Sequence, residues 1–148
     1  MGIEQNKATL KRYYDEIFNG GDFSVWDELM DENYVTVTAN GTEYKGLEGA
    51  KRRHASTSAA APDGRTSIDE MVAEGDTVVI RGFTTGTNTG EFMGIPPTGK
   101  PYKAAFTAFY YFNNGRIVRG WALHDGMGRF QQLGVIPPVL VEAAAGNK

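Results

Sequence analysis

The second half of this chain carries two long hairpin patterns back to back, and few folds can house them. Ser67-Ile-Asp-Glu-Met-Val-Ala runs into the turn Glu74-Gly75-Asp76 and returns as Thr77-Val-Val-Ile-Arg81-Gly82-Phe83-Thr-Thr. A glycine-rich connection leads to Tyr102 through Phe112, the turn Asn113-Asn114-Gly115, and Arg116 through Leu123. Turn residues between β-branched and aromatic runs are the local signature of antiparallel pairing, and strands of this length exceed the common five or six residues. A curved sheet of at least four strands is expected.

The first half reads as helical. Ile3, Leu10, Tyr14 and Ile17, with Tyr13 and Phe18 beside them, form a stripe opposite Lys7, Lys11, Arg12, Asp15 and Glu16, and Asn19-Gly20-Gly21-Asp22 ends it. Phe23 to Met30 predicts a shorter helix with Trp26, Leu29 and Met30 inward, capped by Asp22 or Ser24. Tyr34 to Thr38, the Asn40-Gly41 turn and Thr42 to Lys45 predict a small hairpin. Gly46 to about Ala60 predicts another helix, on which Lys51, Arg52 and Arg53 read as a solvated face. Helices first and sheet last imply an α+β layout, the helices covering one concave face. The chain shows no internal repeat, and its Ala-rich tail, Glu142 to Lys148, is expected to fray.

Composition excludes several functions. The 148 residues, 41% hydrophobic and 11% aromatic, suit one compact domain with a core and a small cavity. A net charge of -3 gives no pull toward phosphate backbones or anionic lipid, so neither nucleic acid nor membrane is an expected partner. The absence of cysteine removes disulfides and thiolate chemistry, and His54 and His124 lack the spacing of a metal site. Without a signal-like start or a bilayer-length apolar run, a cytoplasmic location is expected.

The segment Trp121-Ala-Leu-His124-Asp125-Gly-Met-Gly puts a carboxylate and an imidazole where a strand runs into a short helix. Asp125 has two compatible readings: an acid or base whose pKa rises in apolar surroundings, or the N-cap of a helix starting at Gly126. Regular alternation groups Trp121, Leu123 and Asp125 on one face and turns His124 to the other, where it is expected at the surface or just behind the site, with a direct catalytic part as the minor alternative. Arg81 is expected to be half buried and paired with a carboxylate or with a ligand oxygen. Tyr14, Trp26, Phe83, Phe106, Tyr110 and Trp121 are the aromatic residues expected to line a pocket for a flat ligand. The loops Gly86-Thr-Asn88-Thr-Gly90 and Gly94-Ile-Pro-Pro-Thr-Gly99 lack the ending and context of phosphate loops and are expected to rim the pocket mouth, with Asn88 available to a ligand.

Taken in order, Asn6-Lys7-Ala8, Phe18-Asn-Gly-Gly-Asp22, Glu48-Gly49, Val72-Ala-Glu-Gly-Asp76, Gly86 through Lys100, Asn114-Gly-Arg-Ile-Val118 and Trp121 through Gly134 resemble the SnoaL-like polyketide cyclase family, within the superfamily of nuclear transport factor 2 and ketosteroid isomerase. The resemblance implies a cone of strongly bent antiparallel sheet closed by N-terminal helices around an apolar pocket. It also implies cofactor-free and metal-free aldol ring closure, with the aspartate of a Trp-x-x-x-Asp segment as general acid/base; that position is Asp125. Family members commonly carry polar or bulky groups where this chain has Gly82, Asn88, Ala108, Arg119, Gly120 and Ala122. The expected activity is proton movement α to a carbonyl, leading to aldol cyclisation or isomerisation, the alternatives being a related hydroxylase or dehydratase, or a non-catalytic metabolite-binding protein. A homodimer or higher oligomer is expected.

Overall fold

A computed structural model describes residues 2–136; the tail expected to fray lies outside the described residues. The element order is α1 (Ile3–Arg12), a π-helical continuation (Tyr13–Phe18), a 3-10 turn (Phe23–Val25), α2 (Trp26–Leu29), β1 (Met30–Thr38), β2 (Glu43–Lys45), α3 (Gly46–Ala60), β3 (Arg65–Glu74), β4 (Thr77–Thr87), β5 (Pro101–Asn113), β6 (Arg116–His124) and α4 (Gly126–Leu133). The six strands form one curved, unclosed sheet in the order β2-β1-β6-β5-β4-β3. Both long hairpins form as expected. The sheet is nonetheless mixed, because β1 runs parallel to β6, from Val35 opposite Arg119 to Thr38 opposite Ala122.

Two local irregularities shape the interior. The first helix widens after Arg12, with the Asn19 N–H reaching back to the Tyr14 carbonyl at 2.8 Å. The wide turn carries consecutive Tyr13 and Tyr14, both buried. Before it, the buried stripe differs from the one expected: Asn6 and Thr9 are buried, whereas Ile3 is exposed. Asp69 is an extra residue in β3, since Ile68 faces Gly82 while Glu70 faces Arg81. This bulge bends β3 over β4, and a Cβ at Gly82 would overlap the Ser67 carbonyl oxygen, so only glycine fits beneath it. Met30, read from sequence as the end of a helix, instead starts β1 opposite Ile117.

The core lies between the concave sheet face and the helices. Leu10, Tyr13, Tyr14, Ile17, Trp26 and Leu29 pack on Tyr34, Val78, Ile80, Phe106, Ala108, Tyr110 and Ala122, all nearly inaccessible to solvent. Each large apolar side chain in this set contributes about 1.5–3 kcal/mol on burial. A smaller cluster of Ala61, Tyr102, Ala104 and Leu133 seats α4 against the far end of β5. The Gln132 side chain accepts from the Lys103 N–H at 2.6 Å and donates to the Lys103 carbonyl at 3.0 Å, fixing α4 to a β5 peptide group.

Candidate active-site chamber

The inner sheet face is set by β5, where Phe106, Ala108 and Tyr110 point inward opposite His124, Ala122 and Gly120 of β6. Tyr14 and Tyr110 meet hydroxyl to hydroxyl at 2.6 Å. Tyr13 approaches the Tyr34 hydroxyl at 3.4 Å, and Tyr34 bonds in turn to Thr36. Gly120 makes room for this cluster, because a Cβ there would lie 2.8 Å from Tyr110 Cε1. Burial pushes the pKa values of Tyr13, Tyr14 and Tyr110 up, so these side chains stay protonated phenols able to donate or accept hydrogen bonds.

Beside the phenols, α3 turns Arg53 inward, contrary to its reading as part of a solvated face. Arg53 borders a narrow pocket together with Tyr13, Phe18, Thr36, Tyr44 and His54; its atom-free space, open mouth included, is about 370 Å³, while its depth holds little more than one water molecule. The guanidinium sits 5.5 Å from the ring centroids of both Phe18 and Tyr44. Among the described residues no carboxylate lies within salt-bridge distance of it, whereas the neighbouring Lys51 approaches Glu48 at 3.9 Å. A sequence signal existed: Gly49, Ala50, Arg53 and Ala60 fall at helical spacing, so Arg53 shares the face of small residues that pack inward. The run of three cations hid it.

At the β6–α4 junction the expected faces are exchanged. Trp121 and Leu123 lie on the convex outer face, where the Trp121 indole meets Phe109 edge-on at 6.0 Å and Leu123 is exposed. His124 takes the concave face and stacks on Phe106, with centroids 5.7 Å apart and planes at 19°. The imidazole is exposed, as the sequence led one to expect, with one ring face covered by Phe106. Desolvation, then the charges of Arg53 and Arg129, push its pKa down to about 4. It is therefore neutral at pH 7, with one donor and one acceptor nitrogen. Asp125 is exposed and caps α4, its Oδ1 accepting from the Gly128 N–H at 2.9 Å. Among the described residues its Oδ2 has no hydrogen-bond donor.

The other candidate residues are dispersed. Trp26 is buried in the core, edge-on to Tyr34 at 5.4 Å. Arg81 faces outward, more exposed than expected, and its Nε pairs with Glu70 at 2.7 Å. Phe83, on the same outer face, lies under the Lys103 ammonium at 4.3 Å. Asn88 is fully buried with its amide turned into its own loop: Nδ2 donates to the Gly90 carbonyl at 2.9 Å, and Oδ1 accepts from the Thr98 N–H at 2.9 Å and hydroxyl at 3.0 Å. That loop is tied to α4 by Arg129, whose guanidinium lies 3.6 Å from the Phe92 centroid and 3.9 Å from that of Tyr102. A second, larger cleft, with about 820 Å³ of atom-free space on the same measure, opens between α1 and β3, lined by Lys11, Asp15, Arg65, Asp69, Glu70 and Tyr14. Chemically, the interior offers buried neutral phenols, the pocket beside them offers a guanidinium without a carboxylate partner among the described residues, and the β6–α4 junction offers a neutral imidazole followed by an exposed carboxylate, neither of which lines the two clefts described.

The same fold is found in solved structures. IdmH from Streptomyces antibioticus, a proposed polyketide cyclase, is 32% identical over 88% of this chain and 99% of its own, with a TM-score of 0.77. A proposed SnoaL-like polyketide cyclase from Jannaschia sp. CCS1 superposes with a TM-score of 0.81 at 24% identity, covering 90% of this chain and 94% of its own. AclR from Streptomyces galilaeus, a proposed hydroxylase, superposes with a TM-score of 0.78 at 24% identity over 92% of this chain and all of its own length, 100%. No curated protein matches the chain. The family model for SnoaL-like polyketide cyclases matches residues 8–133, from the first helix to the end of α4. With both long hairpins, the covering helices and the Trp-x-x-x-Asp segment inside that match, the chain belongs to the SnoaL-like polyketide cyclase family.

Proposed function

We propose that this protein turns over an apolar, carbonyl-bearing molecule of polyketide or aromatic type by moving a proton α to the carbonyl, without a cofactor. The observation that carries the reading is the adjacency of Asp125, whose Oδ2 lacks a donor, and His124, whose imidazole is kept neutral. In the proposed step Asp125 accepts the α-proton as the C–H bond breaks, and the electron pair moves onto the carbonyl oxygen as an enolate. Neutral His124, as a donor, steadies that oxygen. In an aldol closure the enolate carbon then attacks a second carbonyl of the same molecule, and the resulting alkoxide takes the proton back from Asp125. Atoms balance without an external reactant, and general acid/base catalysis by one positioned group contributes about 10²–10⁴-fold.

Asp125→Asn is the informative variant because asparagine caps a helix about as well as aspartate, so α4 keeps its start while the base is lost. Deuterium incorporation into α-tetralone in heavy water, followed by mass spectrometry, should be faster with the wild-type protein than in buffer and fall at least about 100-fold in the variant. Exchange at the buffer rate with wild-type protein, or undiminished exchange with Asp125→Asn, would overturn the reading.

A second reading, metabolite binding without turnover, is favoured by the exposure of Asp125 and by Gly120, Ala122 and Ala108 on the inner face, where related sequences commonly carry polar groups. It predicts saturable binding of the same ketone with no exchange. A homodimer is proposed under either reading: Val79, Phe109 and Trp121 line the outer sheet face and Tyr111 and Leu123 are exposed on it, an apolar surface suited to a second copy. Light scattering after size exclusion should give twice the chain mass; a monomer at micromolar concentration would refute this.

A further inference from the structure

We infer that Arg53, with the hydroxyls of Tyr13 and Thr36 beside it, forms a receptor for the carboxylate of an aromatic ligand. The inference rests on the reading that the chamber admits a small molecule, and does not require that the molecule be turned over.

The chain's other inward or paired guanidinium groups are accounted for. Arg12 is clamped by Glu16 at 2.6 Å and Glu28 at 2.7 Å, Arg81 pairs with Glu70, and Arg129 is sandwiched between Phe92 and Tyr102. Arg53, like Arg129, lies against two rings and has no carboxylate partner among the described residues, but unlike Arg129 it borders an open pocket. The groups that face it are Tyr13, Tyr34, Tyr14 and Tyr110, phenols that burial keeps uncharged, and the rings of Phe18 and Tyr44. A half-buried guanidinium without a carboxylate partner attracts an anion that enters the pocket beside it more strongly than a fully solvated one would. The positive potential is also felt by His124, whose protonation Arg53 opposes.

Shape narrows the anion. The deep part of the pocket takes a group scarcely larger than one water molecule, while its walls are flat rings. A planar carboxylate matches the guanidinium fork with two parallel hydrogen bonds, leaving its aromatic body against Phe18, Phe23 and Tyr44. A phosphate is bulkier, carries more charge and needs more donors than this single cation supplies. The net charge of -3 gives no general attraction for anions, so any preference must be local.

The test uses 2-naphthoate and its methyl ester, titrated calorimetrically at pH 7 into the full chain. Wild-type protein should bind the acid on the order of tenfold more tightly than the ester. Arg53→Gln should erase that preference while changing ester affinity by no more than about threefold, and Arg53→Lys, which keeps the charge but not the fork, should retain part of it. Equal binding of acid and ester by the wild-type protein overturns the receptor without any variant being needed, as does a preference that survives in Arg53→Gln. If neither compound binds, the small-molecule reading of the chamber falls and takes this inference with it. Binding of the ester alone overturns only the anion receptor, and the deuterium exchange assay judges the proton chemistry separately.

Discussion

The imidazole of His124 lies nearly parallel to the ring of Phe106, 5.7 Å from it, on the concave face of the sheet. Its pKa in the folded protein, about 4, lies below the ordinary imidazole value of 6.5. Between these values the unfolded chain binds the proton and the folded chain does not, so stability present above pH 6.5 is lost as pH falls toward 4. Because one side of the ring is open to solvent, the change will be modest. Urea midpoints measured from pH 7.5 to 4.5 should fall with acid in the wild-type protein and fall less steeply in His124→Gln. Parallel curves for the two proteins would show that His124 titrates normally.

Tyr14 and Tyr110 form a buried hydroxyl pair at 2.6 Å, joining the wide helical turn to the middle of β5. Removing one hydroxyl strands the other, so Tyr14→Phe and Tyr110→Phe should each destabilise by about 1–2 kcal/mol. The double variant should cost less than the sum, because neither hydroxyl is then left unpaired. Chemical denaturation of the four proteins gives the cycle; strict additivity would mean that the two hydroxyls do not depend on one another.

Asn88 is expected to act on loop stability. Its side chain makes three hydrogen bonds inside the 88–98 segment at zero exposure. Asn88→Ala leaves the Thr98 N–H and the Gly90 carbonyl without their partner, at a cost of about 2–3 kcal/mol. Hydrogen exchange should show the loss of protection concentrated in this loop and in the part of α3 bonded to Gly90 through the Ala60 carbonyl. Uniform loss across the sheet would contradict a local staple.

Much of the fold was legible because its determinants are local. Asn113-Asn114-Gly115 turns the chain, with Asn114 and Gly115 both at positive φ, and the residues on either side pair as their alternation predicts. Asp125 caps α4 because a side-chain acceptor just before a run of free N–H groups is satisfied within one turn. The family was legible too, since its motifs lie in these turns and termini. The candidate site was legible only as a neighbourhood: Tyr14, Phe106 and Tyr110 do come together, whereas Arg81, Phe83 and Trp121 face the other side of the sheet.

What the sequence alone determined is the order of elements, their turns and the spacing of residues along each strand and helix. What the tertiary structure decided is phase: which alternating face of β6 is inside, which of three consecutive cations on α3 enters the chamber, and that β1 lies parallel to β6. Periodicity belongs to a single segment and repeats identically whichever way the segment is rotated. The inside is defined only when another element covers one face, and here Trp121 and Leu123 on the outer face look as apolar in sequence as any core residue. Gly120 claims the interior because its missing side chain leaves the volume that Tyr110 and Tyr34 fill.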